Sequence, residues 1–140
     1  MLGIIIPDMP YEEKLEAETI AKKYNQEVIS LIAPTSDDRI NKIASNAKGF
    51  IYLVSSMGVT GMRSEFKTDL NKIVSEIRKY TDTPVAIGFG ISNPEQAKKM
   101  ASISDGVIIG SAIVRIIEQY GKNAGQYVYD FCKSIVEAIN

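Results

Sequence analysis

Hydrophobic residues along this chain fall into two alternating patterns. Short apolar runs, each closed by a turn residue, occupy Gly3 to Pro7, Val28 to Ala33, Phe50 to Val54, Pro84 to Gly88 and Asp105 to Ile109. Runs of that length and uniformity read as strands buried on both faces. Between them the apolar positions recur at helical spacing. A helix is predicted from about Tyr11 to Tyr24, with Glu12 and Glu13 in a first turn that favours acids. Another runs through Asp37, Asp38 and Ile40 to about Ala47, with Thr35 or Ser36 as its cap. Leu70, Ile73, Val74 and Ile77 form one stripe, so a third helix extends to about Tyr80. Asn93-Pro94-Glu95-Gln96 is a helix start: a capping side chain, proline at the first helical position, then acid and amide. Near the end, Tyr127, Val128, Phe131, Cys132, Ile135, Val136 and Ile139 share one helical face that should dock on the body. Cys132 on that stripe reads as an inert buried thiol. Alternation of this kind predicts a parallel α/β sheet with right-handed crossovers. No linker, low-complexity stretch or repeat interrupts it, so residues 1–140 read as a single domain.

Three strand ends are marked by glycine: Gly58 to Gly61, Gly88 to Gly90, and Gly110-Ser111. A glycine-marked strand end that feeds a helix presents bare N–H groups at the positive end of a helix dipole, which suits a phosphate without a metal. Glycine also makes ordinary tight turns, and for any one of these motifs that reading is preferred. The three together, on consecutive strands, reverse the preference. In an eight-stranded barrel the loops after the last two strands commonly hold phosphate. The stretch from Ser55 to Ser64, with its two glycines and no helical period, reads as a mobile loop.

Composition narrows the chemistry. The net charge of -1 gives no basic field, so nucleic acid is not an expected partner. No segment is apolar for long enough to span a membrane, and the start is too short for a signal peptide. Histidine is absent and cysteine occurs once, which leaves no serine or cysteine triad, no cysteine metal cluster and no imidazole acid or base. Any proton transfer would fall to Asp, Glu, Lys or Tyr. Asp8 stands at the C-terminal end of a strand, where parallel folds place function, although a turn or cap aspartate fits equally well. Tyr52 reads as core with its hydroxyl satisfied, Phe89 as core filler or the wall of an apolar pocket, and Arg63 as a solvated charge or a ligand clamp.

Taken in order, Gly3-Ile4-Ile5-Ile6-Pro7-Asp8-Met9-Pro10, Gly49-Phe50-Ile51-Tyr52-Leu53-Val54-Ser55, Gly58-Val59-Thr60-Gly61, Gly88-Phe89-Gly90-Ile91-Ser92 and Asp105 to Ala112 closely resemble the α subunit of tryptophan synthase over essentially the whole chain. The resemblance implies a (βα)8 TIM barrel of which this chain supplies five strands, the fourth to the eighth. It implies a cytoplasmic lyase of tryptophan biosynthesis that needs no cofactor or metal and splits indole-3-glycerol phosphate into indole and glyceraldehyde 3-phosphate. Carried over by position, Gly61, Gly90, Gly110 and Ser111 would hold the substrate phosphate. Tyr52 would line the pocket near the reacting carbon, Phe89 would pack against the indole, and Thr60 would close toward a catalytic carboxylate from the lid formed by the Ser55 to Ser64 loop. Many members have a basic residue where Ser56 stands. Asp8 would belong to the surface that meets the β subunit, with which the family forms a heterotetramer.

The family's catalytic glutamate and aspartate sit on and after the second strand, which the resemblance puts before Met1. The isolated chain is therefore expected to be inactive. Its alternative is a non-catalytic phosphate-ligand module, or an interaction fragment that needs a complementing N-terminal piece or self-associates through an open sheet edge. An alternative fold with the same local units is a flavodoxin-like doubly wound sheet.

Overall fold

A computed structural model describes residues 3–7, 9–55, 69–88 and 90–140, with the backbone alone at Asp37. Asp8, Phe89 and the loop residues Thr60 and Gly61 therefore lie outside the described residues. The strands are β1 (Gly3–Ile4), β2 (Glu27–Val28), β3 (Ser30–Ile32), β4 (Ile51–Val54), β5 (Val85–Gly88) and β6 (Gly106–Ile108). The helices are α1 (Lys14–Lys22), α2 (Ile40–Ser45), α3 (Leu70–Ile77), α4 (Pro94–Ala101), α5 (Ser111–Tyr120) and α6 (Ala124–Ile139). Single 3-10 turns lead into α1, α2 and α6.

Strand order separates the two folds left open by the sequence. Every pairing is parallel and joins neighbours in the chain: β1 with β2, β3 with β4, β4 with β5, and β5 with β6. A flavodoxin-like sheet would put its first strand in the middle, so that alternative is wrong. The predicted strand Val28 to Ala33 is split. Its start ladders with β1, extended by the Ile29 N–H to the Ile4 carbonyl at 2.9 Å, and its end ladders with β4. One stretch thus serves two neighbours at staggered heights, and stagger is what curling a sheet into a barrel requires.

Among the described residues, α2, α3, α4 and α6 pack on one face of the four-stranded sheet. Ile32, Leu53 and Ile87 are in register with one another, as are Ile51 and Val85. All five are fully buried, packed with Ile40, Ile43 and Ala44 of α2, the four apolar residues of α3, Ala97 and Met100 of α4, and Ile135 of α6. The alternate positions Leu31, Tyr52, Val54, Ala86 and Ile108 point the other way and are half-buried. A doubly wound sheet would cover that face with helices, whereas a barrel leaves it as the lumen.

Local chemistry accounts for most boundaries. Asn93 caps α4 by accepting the Gln96 N–H at 2.9 Å, with Pro94 at the first turn. Asp69 caps α3 through the Lys72 N–H, and Leu70, Ile73, Val74 and Ile77 are all buried. That helix stops at Ile77 rather than Tyr80, where the chain turns with Tyr80 N–H bonded to the Ile77 carbonyl. Ser36 does not cap α2: its hydroxyl accepts from Ala33 N–H at 3.1 Å and closes the turn after β3. The C-terminal stripe docks only in part. Phe131, Ile135 and Ile139 reach the core, while Tyr127 and Val136 stay about half exposed and Tyr127 stacks on Tyr120 at 3.6 Å. Cys132, expected to be buried, is half-buried at the edge of this stripe.

Candidate functional site

The C-terminal ends of β4, β5 and β6 meet in one small pocket of about 150 Å³. Tyr52, Gly90, Ile91, Ile108, Gly110, Ser111 and Arg115 line it. Four of the residues singled out in the sequence, Tyr52, Gly90, Gly110 and Ser111, are thus brought together. The volume is below that of a usual small-molecule pocket, so it suits one end of a ligand.

Each glycine near this pocket has its own reason. A Cβ on Gly88 would come within 2.4 Å of the Tyr52 hydroxyl oxygen and 2.6 Å of Cζ, so the missing side chain leaves space for the tyrosine ring. Gly90 has φ +79°, a left-handed turn that a larger residue would strain. At Gly110 a Cβ would meet nothing within 4 Å, so that position opens onto the hollow. Gly88 therefore shapes the site through a neighbour, a role its place in a glycine-rich stretch did not reveal.

Beside the pocket the ends of β4 and β5 are tied together at Ser55, buried just after β4. Its N–H and its hydroxyl both donate to the Gly88 carbonyl, at 3.0 and 3.1 Å. The far wall is the first turn of α5, ten residues long and headed by Gly110 without a side-chain cap. N–H groups of a first helical turn lack intrahelical partners and carry partial positive charge. The Ser111 hydroxyl stands beside them, with no hydrogen bond to another described residue.

Among the described residues two titratable side chains line the pocket. Burial pushes the Tyr52 hydroxyl above its ordinary value of 10.0, so it is neutral at physiological pH. Arg115 is the other, and its guanidinium offers five N–H donors. The sequence reading missed it, although its place four residues after Ser111 puts it on the same helical face. With these groups the pocket can donate hydrogen bonds to an anion, and among the described residues that line it none is poised to accept a proton.

A larger cleft of about 450 Å³ lies between the start of α1 and the end of β3. Its buried Lys14 is satisfied by the Ser30 hydroxyl at 2.8 Å and the Glu18 carboxylate at 3.0 Å. That pairing gives the cleft a structural explanation.

Comparison with known proteins points to one family. The family model described as "Tryptophan synthase alpha chain" matches residues 1–139. A tryptophan synthase alpha chain from Lacticaseibacillus casei is 53% identical over 138 residues, covering 99% of this chain and 52% of that protein. One from Lactiplantibacillus plantarum is 57% identical over 116 residues, covering 82% of this chain and 44% of its own length. The solved tryptophan synthase subunit alpha of Campylobacter jejuni superposes with a TM-score of 0.81 at 34% identity, over 96% of this chain and 54% of that one. The subunit from Pyrococcus furiosus gives 0.79 at 27% identity, over 98% and 56%. This chain spans about half the length of the curated relatives it matches. Sequential parallel strands with helices on one side are half of the TIM barrel those neighbours share, and with the family match over nearly every residue they make this chain a member of the tryptophan synthase alpha chain family.

Proposed function

We propose that the chain serves tryptophan biosynthesis as the phosphate-holding part of a cytoplasmic lyase that cleaves indole-3-glycerol phosphate to indole and glyceraldehyde 3-phosphate. The observation that carries this reading is the convergence of Tyr52, Gly90, Gly110 and Ser111 on one pocket at the strands' C-terminal ends. Amides of Gly90, Gly110 and Ser111, with the Ser111 hydroxyl, hold the phosphate, and Tyr52 borders the reacting carbon. Gly61 completes the phosphate contacts, Thr60 belongs to the lid, Phe89 packs on the indole, and Asp8 faces the β subunit. In the reaction the bond between the indole ring carbon and the side chain breaks. The ring carbon gains a proton, and the side-chain hydroxyl loses one as it becomes the aldehyde. An acid at that carbon and a base at the indole nitrogen are required. Among the described residues lining the pocket the neutral Tyr52 hydroxyl can donate a proton but none is placed to accept one, so the chain by itself positions substrate without turning it over. An indole-release assay on the purified chain should show no turnover above background. A rate near that of an intact α subunit would refute this.

A second reading is favoured by the uncovered inner face and by both ends of the strand run. Leu15, Ile20 and Tyr24 at one end and Val114 and Ile117 at the other are 49–72% exposed. An apolar groove of about 550 Å³ runs along β1 and α1. These surfaces suit a fragment that binds a complementing piece with the missing strands or associates with itself through its open edges. Size-exclusion chromatography with light scattering, with and without such a piece, tests it. A monomer that ignores the added piece would exclude it.

A further inference from the structure

Arg115 is the one charged side chain among the described residues that line the phosphate pocket. It is exposed and makes no ion pair or hydrogen bond with another described residue. Side chains on a helix lean toward its N-terminus, so a residue one turn into α5 reaches back over the first turn, where the Ser111 amide lies. Backbone amides fix the position of an anion but supply only partial charge, about half an elementary charge for a whole helix terminus. A phosphate monoester carries roughly -1.5 to -2 at neutral pH. Charge is left to be balanced, and a guanidinium with five donors at the rim can balance it. Among the described residues no carboxylate holds Arg115, so none of them has to release it to a ligand.

We infer that Arg115 is the charge partner of the substrate phosphate, closing over the pocket that the amides and Ser111 shape. This rests on the phosphate reading above, and it makes α5 contribute through two successive turns. The contact is at a solvent-facing rim, so its effect is moderate and salt-sensitive.

The experiment titrates the full chain with glycerol 3-phosphate and with inorganic phosphate by calorimetry at low and moderate salt, alongside R115A, R115K and R115Q. Circular dichroism checks that each variant keeps its helices. R115A and R115Q should bind glycerol 3-phosphate about tenfold more weakly, a difference of about 1.4 kcal/mol. R115K should stay within about threefold of the parent, and the parent's affinity should fall more steeply with salt than that of R115A. If the parent binds and R115A and R115Q match it within twofold at every salt concentration, Arg115 is a solvated charge and the phosphate pocket stands without it. If the parent binds neither probe, both this inference and the phosphate reading fall.

Discussion

Replacing Gly88 with alanine tests the packing that sets the pocket's shape. The new Cβ would lie 2.4, 2.6 and 2.9 Å from the Oη, Cζ and Cε1 atoms of Tyr52. Contacts that short cannot persist, and the atoms involved are the far end of a side chain that can swing. The ring must therefore move rather than the backbone, at an overpacking cost of about 1–3 kcal/mol. Alanine in a strand recovers about 0.5–1 kcal/mol of the conformational penalty of glycine. Gly88→Ala should then destabilise by about 0.5–2 kcal/mol. In a Tyr52→Ala background the ring is gone, so the same change should be neutral or stabilising by about 0.5–1 kcal/mol. The double-mutant cycle should return a coupling of about 1–3 kcal/mol between the two positions. Urea unfolding of the four proteins, compared at constant slope, measures it. Equal costs for Gly88→Ala in both backgrounds would show that the glycine is kept for some other reason. Moving the ring outward also relieves the burial that raises its hydroxyl pKa, so that value should drift back toward 10.0 in Gly88→Ala.

Asp105 accepts the Val85 N–H at 2.7 Å and pairs with Arg78, whose Nη1 donates to the Thr83 carbonyl at 3.1 Å. The Val85 amide first, and then the Arg78 guanidinium, hold its carboxyl below 3.8, so this stabilisation is present above that value and is lost as pH falls through the lower folded value. With both side chains partly exposed, Asp105→Asn should cost about 1 kcal/mol at pH 7, and the gap to the parent should close below pH 3.8 in urea unfolding across the acid range. Asn93→Ala should cost about 1 kcal/mol in the same assay by freeing the Gln96 N–H, whereas Asn93→Ser should recover most of it.

How far the sequence could be read depended on the range of the interaction. Alternation along Ile51-Tyr52-Leu53-Val54 and the stripe of Leu70, Ile73, Val74 and Ile77 are local, so those elements were legible, as was the Asn93-Pro94 cap. Resemblance of motifs brought Tyr52, Gly90, Gly110 and Ser111 to one site in advance. The Arg78–Asp105 pair spans 27 residues and has no local signature, so it was not seen. Gly88 was read as part of a turn motif because the ring it accommodates lies on the neighbouring strand. The split of Val28 to Ala33 depends on which strand each half pairs with, and hydrophobicity does not encode that. At the C-terminus the helical period located the stripe, but how much of it docks is set by the elements available to cover it. Arg115 could have been found from its four-residue spacing to Ser111, had charge on the second turn been weighed with glycine on the first.

The strictly sequential strand order also bears on how the chain reaches its fold. Gly3 pairs with Glu27, Ser30 with Ile51, Ile51 with Val85, and Ala86 with Gly106. Among the described residues one helix lies between the partners of each pairing, and none of these pairings waits for the far end of the chain. Closing such loops costs less entropy than joining strands from opposite ends of the chain would. The sheet can grow one strand at a time in the order of synthesis, each newly emerged unit docking on the edge left by the one before.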